Sequence, residues 1–326
     1  MTNKTIVFHI GHGKTGSSAL QSLLAKNHET LKQHGYLYPY HSNFKNATRG
    51  FVSAGNITPA KDPDWLQNQV VSVVNTSNEY HTFVYSAEAL FNRLAPLFQQ
   101  YRHLPKSWSI KVLLAVRNPI EMMASHHQQA VKRGGYSGCL KQFMEEQNYK
   151  VRALHNSVRV LEKLEECGIP YSLANYSKVR MDITEFFLNE MGLNGLINAS
   201  EERERLVNRS LSAQELSLVA FINTIVGPKA GFRLSDSFVN ELPSIKADNL
   251  YIDQGDVDAM IRNNTESLLQ VNKRLGVNMG LTFDYAPTVS SDIQKSLNDK
   301  QVEIARNLLF GVSERRKRRM QSLKSE

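Results

Sequence analysis

Residues 6–18 read Ile-Val-Phe-His-Ile-Gly-His-Gly-Lys-Thr-Gly-Ser-Ser and run on into Ala19-Leu20-Gln21-Ser22-Leu23-Leu24. An apolar stretch feeds a glycine-rich turn with one lysine, and the turn opens into a helical pattern. That order of residues suits an anion. Glycines let backbone N–H groups approach it, the helix N-terminus favours negative charge, and Lys14 adds a point charge. A triphosphate-binding P-loop needs a glycine five residues ahead of its Gly-Lys-Ser/Thr. Here that place is Phe8.

Two further segments carry chemistry. Ile110–Val116 is an apolar run interrupted only by Lys111, the pattern of a buried parallel strand. It ends in Arg117-Asn118-Pro119, and Pro119 suits the first turn of a helix that carries Ser125. An arginine offers a planar fork of donors to phosphate oxygens, and a serine hydroxyl adds one more. Between the two lies the strand-like His81–Ser86, followed by Ala87-Glu88. Glu88 has two readings, a general base at the mouth of a phosphate site or an acid placed by a helix dipole. His9 and His12 are competing candidates for the role of base, and His9, inside the first strand, reads as a core residue or one that supports the site from behind. His12 lies in the turn, where it is a candidate to touch the reacting group.

The Gly-x-x-Lys-Thr-Gly-Ser-Ser turn and the Arg-x-Pro with Ser125 eight residues after Arg117 together resemble sulfotransferases that use 3′-phosphoadenosine 5′-phosphosulfate (PAPS). The resemblance spans about residues 5–215. It implies an α/β, P-loop-like three-layer fold with a mostly parallel central sheet, extended by C-terminal helices. It also implies sulfuryl transfer from PAPS, with 3′,5′-ADP as product and no metal. Gly13, Lys14, Thr15, Gly16, Ser17 and Ser18 would hold the 5′-phosphate, and Arg117 with Ser125 the 3′-phosphate. Asn208 and Arg209 would lie near the nucleotide, in an Asn-x-Ser segment found in many bacterial members. Lys14, Glu88 and His12 are the catalytic candidates. Ser86-x-Glu88 matches the Ser-x-Glu of members that sulfate saccharides, so the expected acceptor is a hydroxyl or amine of a saccharide or glycolipid. Many members carry Tyr-Glu where this chain has Tyr176-Ser177. The rivals are a P-loop kinase or NTPase, and a nucleotide-binding protein without turnover.

Composition sets wider bounds. The chain has 326 residues and a net charge of +8, which fits an anionic cosubstrate. No apolar run approaches the roughly 18 residues of a membrane span. The N-terminus enters the first strand directly, so a cytoplasmic protein is expected. Cys139 and Cys167 are too few for a disulfide framework and are not spaced as a metal site. Glu314–Arg319 is a basic cluster, read as the solvated end of a last helix that also suits an anionic surface.

These features organise into one sulfotransferase-like domain over 1–312, with a nucleotide core of about 5–215, a helical extension of about 216–312 and a basic tail over 313–326. Strands are expected near 5–10, 81–86, 110–116 and 170–175, with their ligand-binding loops at the C-terminal ends. The patterning places helices near 17–34, 64–77, 119–132, 150–167, 179–191 and 213–226, and two or three more beyond 227. Ser212 and Glu215 form a capping box. The 36–61 connection, with Tyr36, Tyr38, Tyr40 and His41, is the expected acceptor region, with Tyr136 a further candidate.

Overall fold

The computed structural model describes residues 3–11, 14–42, 44–49, 55–59, 61–199, 209–288 and 296–322, with side chains as far as residue 311. Strand β1 (Lys4–His9) is followed by α1 (Ser17–Lys26), α2 (His28–Gln33), β2 (Tyr36–Leu37), α3 (Phe44–Thr48) and α4 (Ser72–Thr76). Next come β3 (Thr82–Ser86), α5 (Ala95–Gln100), β4 (Trp108–Val116), α6 (Pro119–Gly134), α7 (Leu140–Glu146) and α8 (Arg152–Cys167). The chain continues through β5 (Tyr171–Asn175), α9 (Tyr176–Val179), α10 (Ile183–Glu190), α11 (Ala213–Ile225), α12 (Pro228–Glu241), α13 (Gln254–Asn272) and α14 (Asp299–Ser322).

The strands form one sheet in the order β2-β3-β1-β4-β5, and every pairing is parallel. The α/β class with a parallel central sheet is therefore as the apolar runs predict. The middle strands are buried along nearly their whole length, which is why they read as largely apolar stretches rather than alternating ones. β1 connects towards the β2 edge and β4 towards the β5 edge. Adjacent strands whose connections leave in opposite directions open a crevice at their C-terminal ends, where open α/β sheets bind ligands.

The first helical stretch differs from expectation. Residues 17–34 are two helices, broken at Asn27, whose side-chain amide bonds back to the Leu23 carbonyl at 2.9 Å. The 36–61 connection also holds structure. Its first residues form the edge strand β2, and Asn56 lies along β3 as a substitute strand residue. The Asn56 amide donates to the Val84 carbonyl and accepts from Ser86 N–H, both at 2.8 Å. Gly55 has φ +94°, and a Cβ there would fall 1.9 Å from the Ser86 carbonyl oxygen. Tyr38 is fully buried and belongs to the core, not to an acceptor surface.

Contacts divide the chain into two compact units, residues 1–119, 151–207 and 264–282, and residues 120–150, 208–263 and 283–326. In the first, Leu20, Leu23 and Leu24 of α1 pack with Val7, Val84 and Phe187. In the second, Val131, Leu216, Val219, Leu234, Phe238 and Ile304 form the core. This unit also holds an open pocket of about 610 Å³, lined among others by Leu140, Met144, Leu216, Phe221 and Leu250.

Ser212 caps α11, and Glu215 returns the bond to the Ser212 N–H at 2.9 Å, the capping box expected from the sequence. Glu215 also takes a bidentate pair from Arg209 at 2.7 and 2.8 Å and an N–H from Gln301 at 2.8 Å. Burial pushes the Glu215 carboxyl up, but its donors, Arg209 first, outweigh burial and hold it below the ordinary range. A lowered carboxyl adds stability above its unfolded value, and that stability is lost as pH falls through the folded value. Arg209→Leu leaves Glu215 buried with its charge unpaired, and we expect a loss of about 3–5 kcal/mol near neutral pH. Burial is then opposed only by the Gln301 and Ser212 N–H donors, so the stability that Glu215 adds above its unfolded value should shrink and the variant should depend less on pH than the wild type. Urea unfolding at mildly acid and neutral pH reads both effects. Equal midpoints for the two proteins would remove the pair from the core's account.

Candidate functional site

The turn after β1 is wound tightly. Lys14 has φ +76° and Gly16 has φ +84°, both in the left-handed region. Such a conformation is unusual for a lysine and tends to persist at functional sites. Gly16 is required sterically as well, since a Cβ there would come within 2.9 Å of Ile183 and 3.4 Å of the Tyr176 ring. α1 starts at Ser17 with no side-chain cap and no acidic residue in its first turn. A helix start built this way presents N–H groups and positive potential to an anion.

The other strand ends converge on this turn. Glu88 opens a short 3-10 turn directly after β3, and the Ser17 hydroxyl donates to its carboxylate. Glu88 is otherwise exposed. After β4, Arg117 donates from Nη1 to the Lys14 carbonyl at 3.3 Å. Its guanidinium also lies over the Tyr176 ring, 5.3 Å from the centroid, at the end of β5. The same strand end supplies Ser177, whose hydroxyl accepts the Asn118 N–H at 3.0 Å. Residues a hundred positions apart thus meet at one rim, because parallel strands deliver their following loops to the same edge.

Thr15 is fully buried under the turn, whereas Ser18 is partly exposed. Ser17 spends its hydroxyl on Glu88. His12, Gly13 and Asn208 lie outside the described residues. Ser125 sits within α6, two turns beyond Pro119, and belongs to the second unit. Arg209 is buried in that unit with its donors committed to Glu215 and to the Leu242 and Phe238 carbonyls, at 2.7 to 2.8 Å. Reading Arg209 as a nucleotide contact overlooked this ion pair, and a carboxylate six residues downstream was the available signal.

Two contacts of the site could not be read from the motifs that hold their residues. One is Tyr176, the tyrosine of the Tyr-Glu place, beneath Arg117. The other is a buried polar cluster in which Ser86 of the Ser-x-Glu motif meets His9 and Gln21, all 0% exposed. No three described His, Cys, Asp or Glu residues are grouped to hold a metal. No described helix is long and apolar enough to cross a membrane.

No family model matches the chain, and no curated protein matches it in sequence. Several solved structures are similar to it. A sulfotransferase from Alicyclobacillus acidocaldarius shares 11% identity over 72% of this chain and 96% of its own, with a TM-score of 0.40. A retinol dehydratase in complex with androsterone and the inactive cofactor PAP shares 10% identity over 96% of this chain and 81% of its own, with a TM-score of 0.29. Likeness at that level decides neither fold nor chemistry, and both rest on the residues of this chain.

Proposed function

We propose that the protein is a sulfotransferase that moves a sulfuryl group from PAPS to a hydroxyl or amine, with a saccharide or glycolipid as the first acceptor class to screen. The observation that carries the reading is the pair of contacts joining three strand ends, Ser17 to Glu88 and Arg117 to the Lys14 carbonyl. They bring together the glycine turn, Arg117 and the exposed Glu88 carboxylate.

The residues fit such a cosubstrate. The N–H groups at the start of α1, with the Thr15, Ser17 and Ser18 positions, suit a 5′-phosphate. Arg117 suits a second phosphate. PAPS supplies the sulfuryl group. The acceptor oxygen bonds to sulfur as the bond from sulfur to the 5′-phosphate oxygen breaks, and the acceptor proton passes to Glu88. Lys14 stabilises the charge that collects on the departing phosphate. His12 stands as an alternative contact to the transferred group. Positioning and electrostatics carry such a transfer, as they do in phosphoryl transfer.

A kinase or NTPase reading draws on the same Glu88–Ser17 contact, since a carboxylate beside a phosphate turn also suits a magnesium nucleotide. Calorimetric titration of the full chain with 3′,5′-ADP and, separately, with Mg²⁺–ATP decides between them. We expect saturable 3′,5′-ADP binding that weakens on the order of a hundredfold in Arg117→Ala, the scale of a lost charge-assisted bidentate contact. Preference for Mg²⁺–ATP, or binding of neither, would overturn the PAPS reading.

A further inference from the structure

His9, the last residue of β1, has its Nδ1 2.8 Å from the Ser86 hydroxyl oxygen at the end of β3. That oxygen also receives an N–H from Gln21 of α1 at 3.2 Å. A serine hydroxyl has one hydrogen to give. Gln21 fills one of the two lone pairs of that oxygen, and giving the hydrogen to His9 Nδ1 leaves the ring proton on Nε2. The edge of the Phe187 ring packs against the imidazole with centroids 4.5 Å apart. Complete burial drives the imidazole down to about 3, so the ring is neutral.

The Nε2 atom is the anomaly. It is buried and has no hydrogen-bond partner among the described residues, although buried polar groups are almost always paired. It faces the turn. The point that a Cβ on Gly11 would occupy lies 3.1 Å from Nε2 and 3.2 Å from the Thr15 hydroxyl. Gly11 leaves that point empty, and any larger residue would press on both side chains.

We propose that His9 is a positioning residue for the anion turn: a neutral donor, locked in its Nε2–H tautomer by Ser86 and Gln21, that completes its hydrogen bonding when a phosphate or sulfate ester seats above it. The inference rests on the reading of residues 11–18 as a phosphate-binding turn. One serine hydroxyl ties β1, β3 and α1 together, so the donor is aimed by three elements that also carry Lys14, Glu88 and Ser17. A neutral donor suits a buried place under an anion, because an imidazolium there would have to be desolvated first.

The test uses the full chain labelled with 15N at histidine, with the His9 signals identified by their loss in His9→Gln. The free protein should show His9 as a neutral ring protonated on Nε2, and the Nε2 proton should move downfield on adding 3′,5′-ADP. His9→Asn, which keeps a polar group near Nδ1 and loses the Nε2 donor, should weaken 3′,5′-ADP binding about tenfold, the scale of one buried hydrogen bond. His9→Gln places an amide N–H near Nε2 and should recover most of that loss. A ring protonated on Nδ1, or Asn and Gln variants that bind as the wild type does, would overturn the proposal. Inorganic sulfate, titrated separately, keeps the two readings apart. If sulfate moves the Nε2 proton and 3′,5′-ADP does not bind, the nucleotide assignment falls and His9 stands. If 3′,5′-ADP binds by calorimetry while the His9 signals stay put, His9 falls and the nucleotide assignment stands. If neither ligand moves them, the His9 proposal fails outright.

Discussion

Lys14→Ala should lower turnover with PAPS by about 10²–10³, some 3–4 kcal/mol, while 3′,5′-ADP binding weakens far less. The asymmetry follows from the role assigned to the ammonium. It answers charge that grows on the departing phosphate, and that charge is larger in the transition state than in bound cosubstrate or product. The backbone around it should survive. Alanine keeps a Cβ, so the cost of the left-handed φ of +76° is nearly unchanged. The Arg117 bond goes to the Lys14 carbonyl, which substitution leaves in place. Lys14→Arg should rescue poorly, because a planar fork replaces a compact point charge at a site shaped by a tight turn. The assay is release of 3′,5′-ADP in the presence of an acceptor drawn from a saccharide panel. A Lys14→Ala protein within about fivefold of wild-type turnover would remove the lysine from the chemistry.

Glu88→Gln should cost about 10²–10⁴ in turnover, the usual contribution of a positioned base, and leave 3′,5′-ADP affinity nearly unchanged. The substitution isolates proton transfer. A glutamine side-chain oxygen still accepts from the Ser17 hydroxyl, so the link between β3 and α1 remains, but an amide takes no proton. Ser17→Ala supplies the complementary case. It keeps the carboxylate and removes its orienting donor, so turnover should fall less than in Glu88→Gln. Near-normal turnover of Glu88→Gln with intact nucleotide binding would show that another group accepts the proton, with His12 the next residue to substitute.

The strands of this protein are legible in its sequence because burial on both faces demands largely apolar runs. Ile6–Ile10, Thr82–Tyr85 and Ile110–Val116 have no other simple reading. β2 was not legible. Two residues, Tyr36 and Leu37, make too short a signal, and they become a strand only because β3 offers a free edge. The same edge orders Asn56, whose side chain stands in for a backbone partner. The capping box at Ser212 and Glu215 is local and could be read four residues at a time. The second duty of Glu215, neutralising Arg209 inside a helical core, depends on α12 and on Gln301 being brought near, and no local pattern announces that.

The site divides along the same line. Spacing alone marks the glycine turn, the lysine and the arginine before a proline, since each is a short-range arrangement of backbone freedom and charge. Which of these groups touch one another is set by strand order. Placing β1 between β3 and β4 aims Ser17 at Glu88, Arg117 at the Lys14 carbonyl and His9 at Ser86. Hydrogen bonds act over about 3 Å, whereas these partners are separated by some seventy to a hundred residues of chain. Residue types therefore declare the chemistry available to the protein, and the parallel sheet assigns each group its partner.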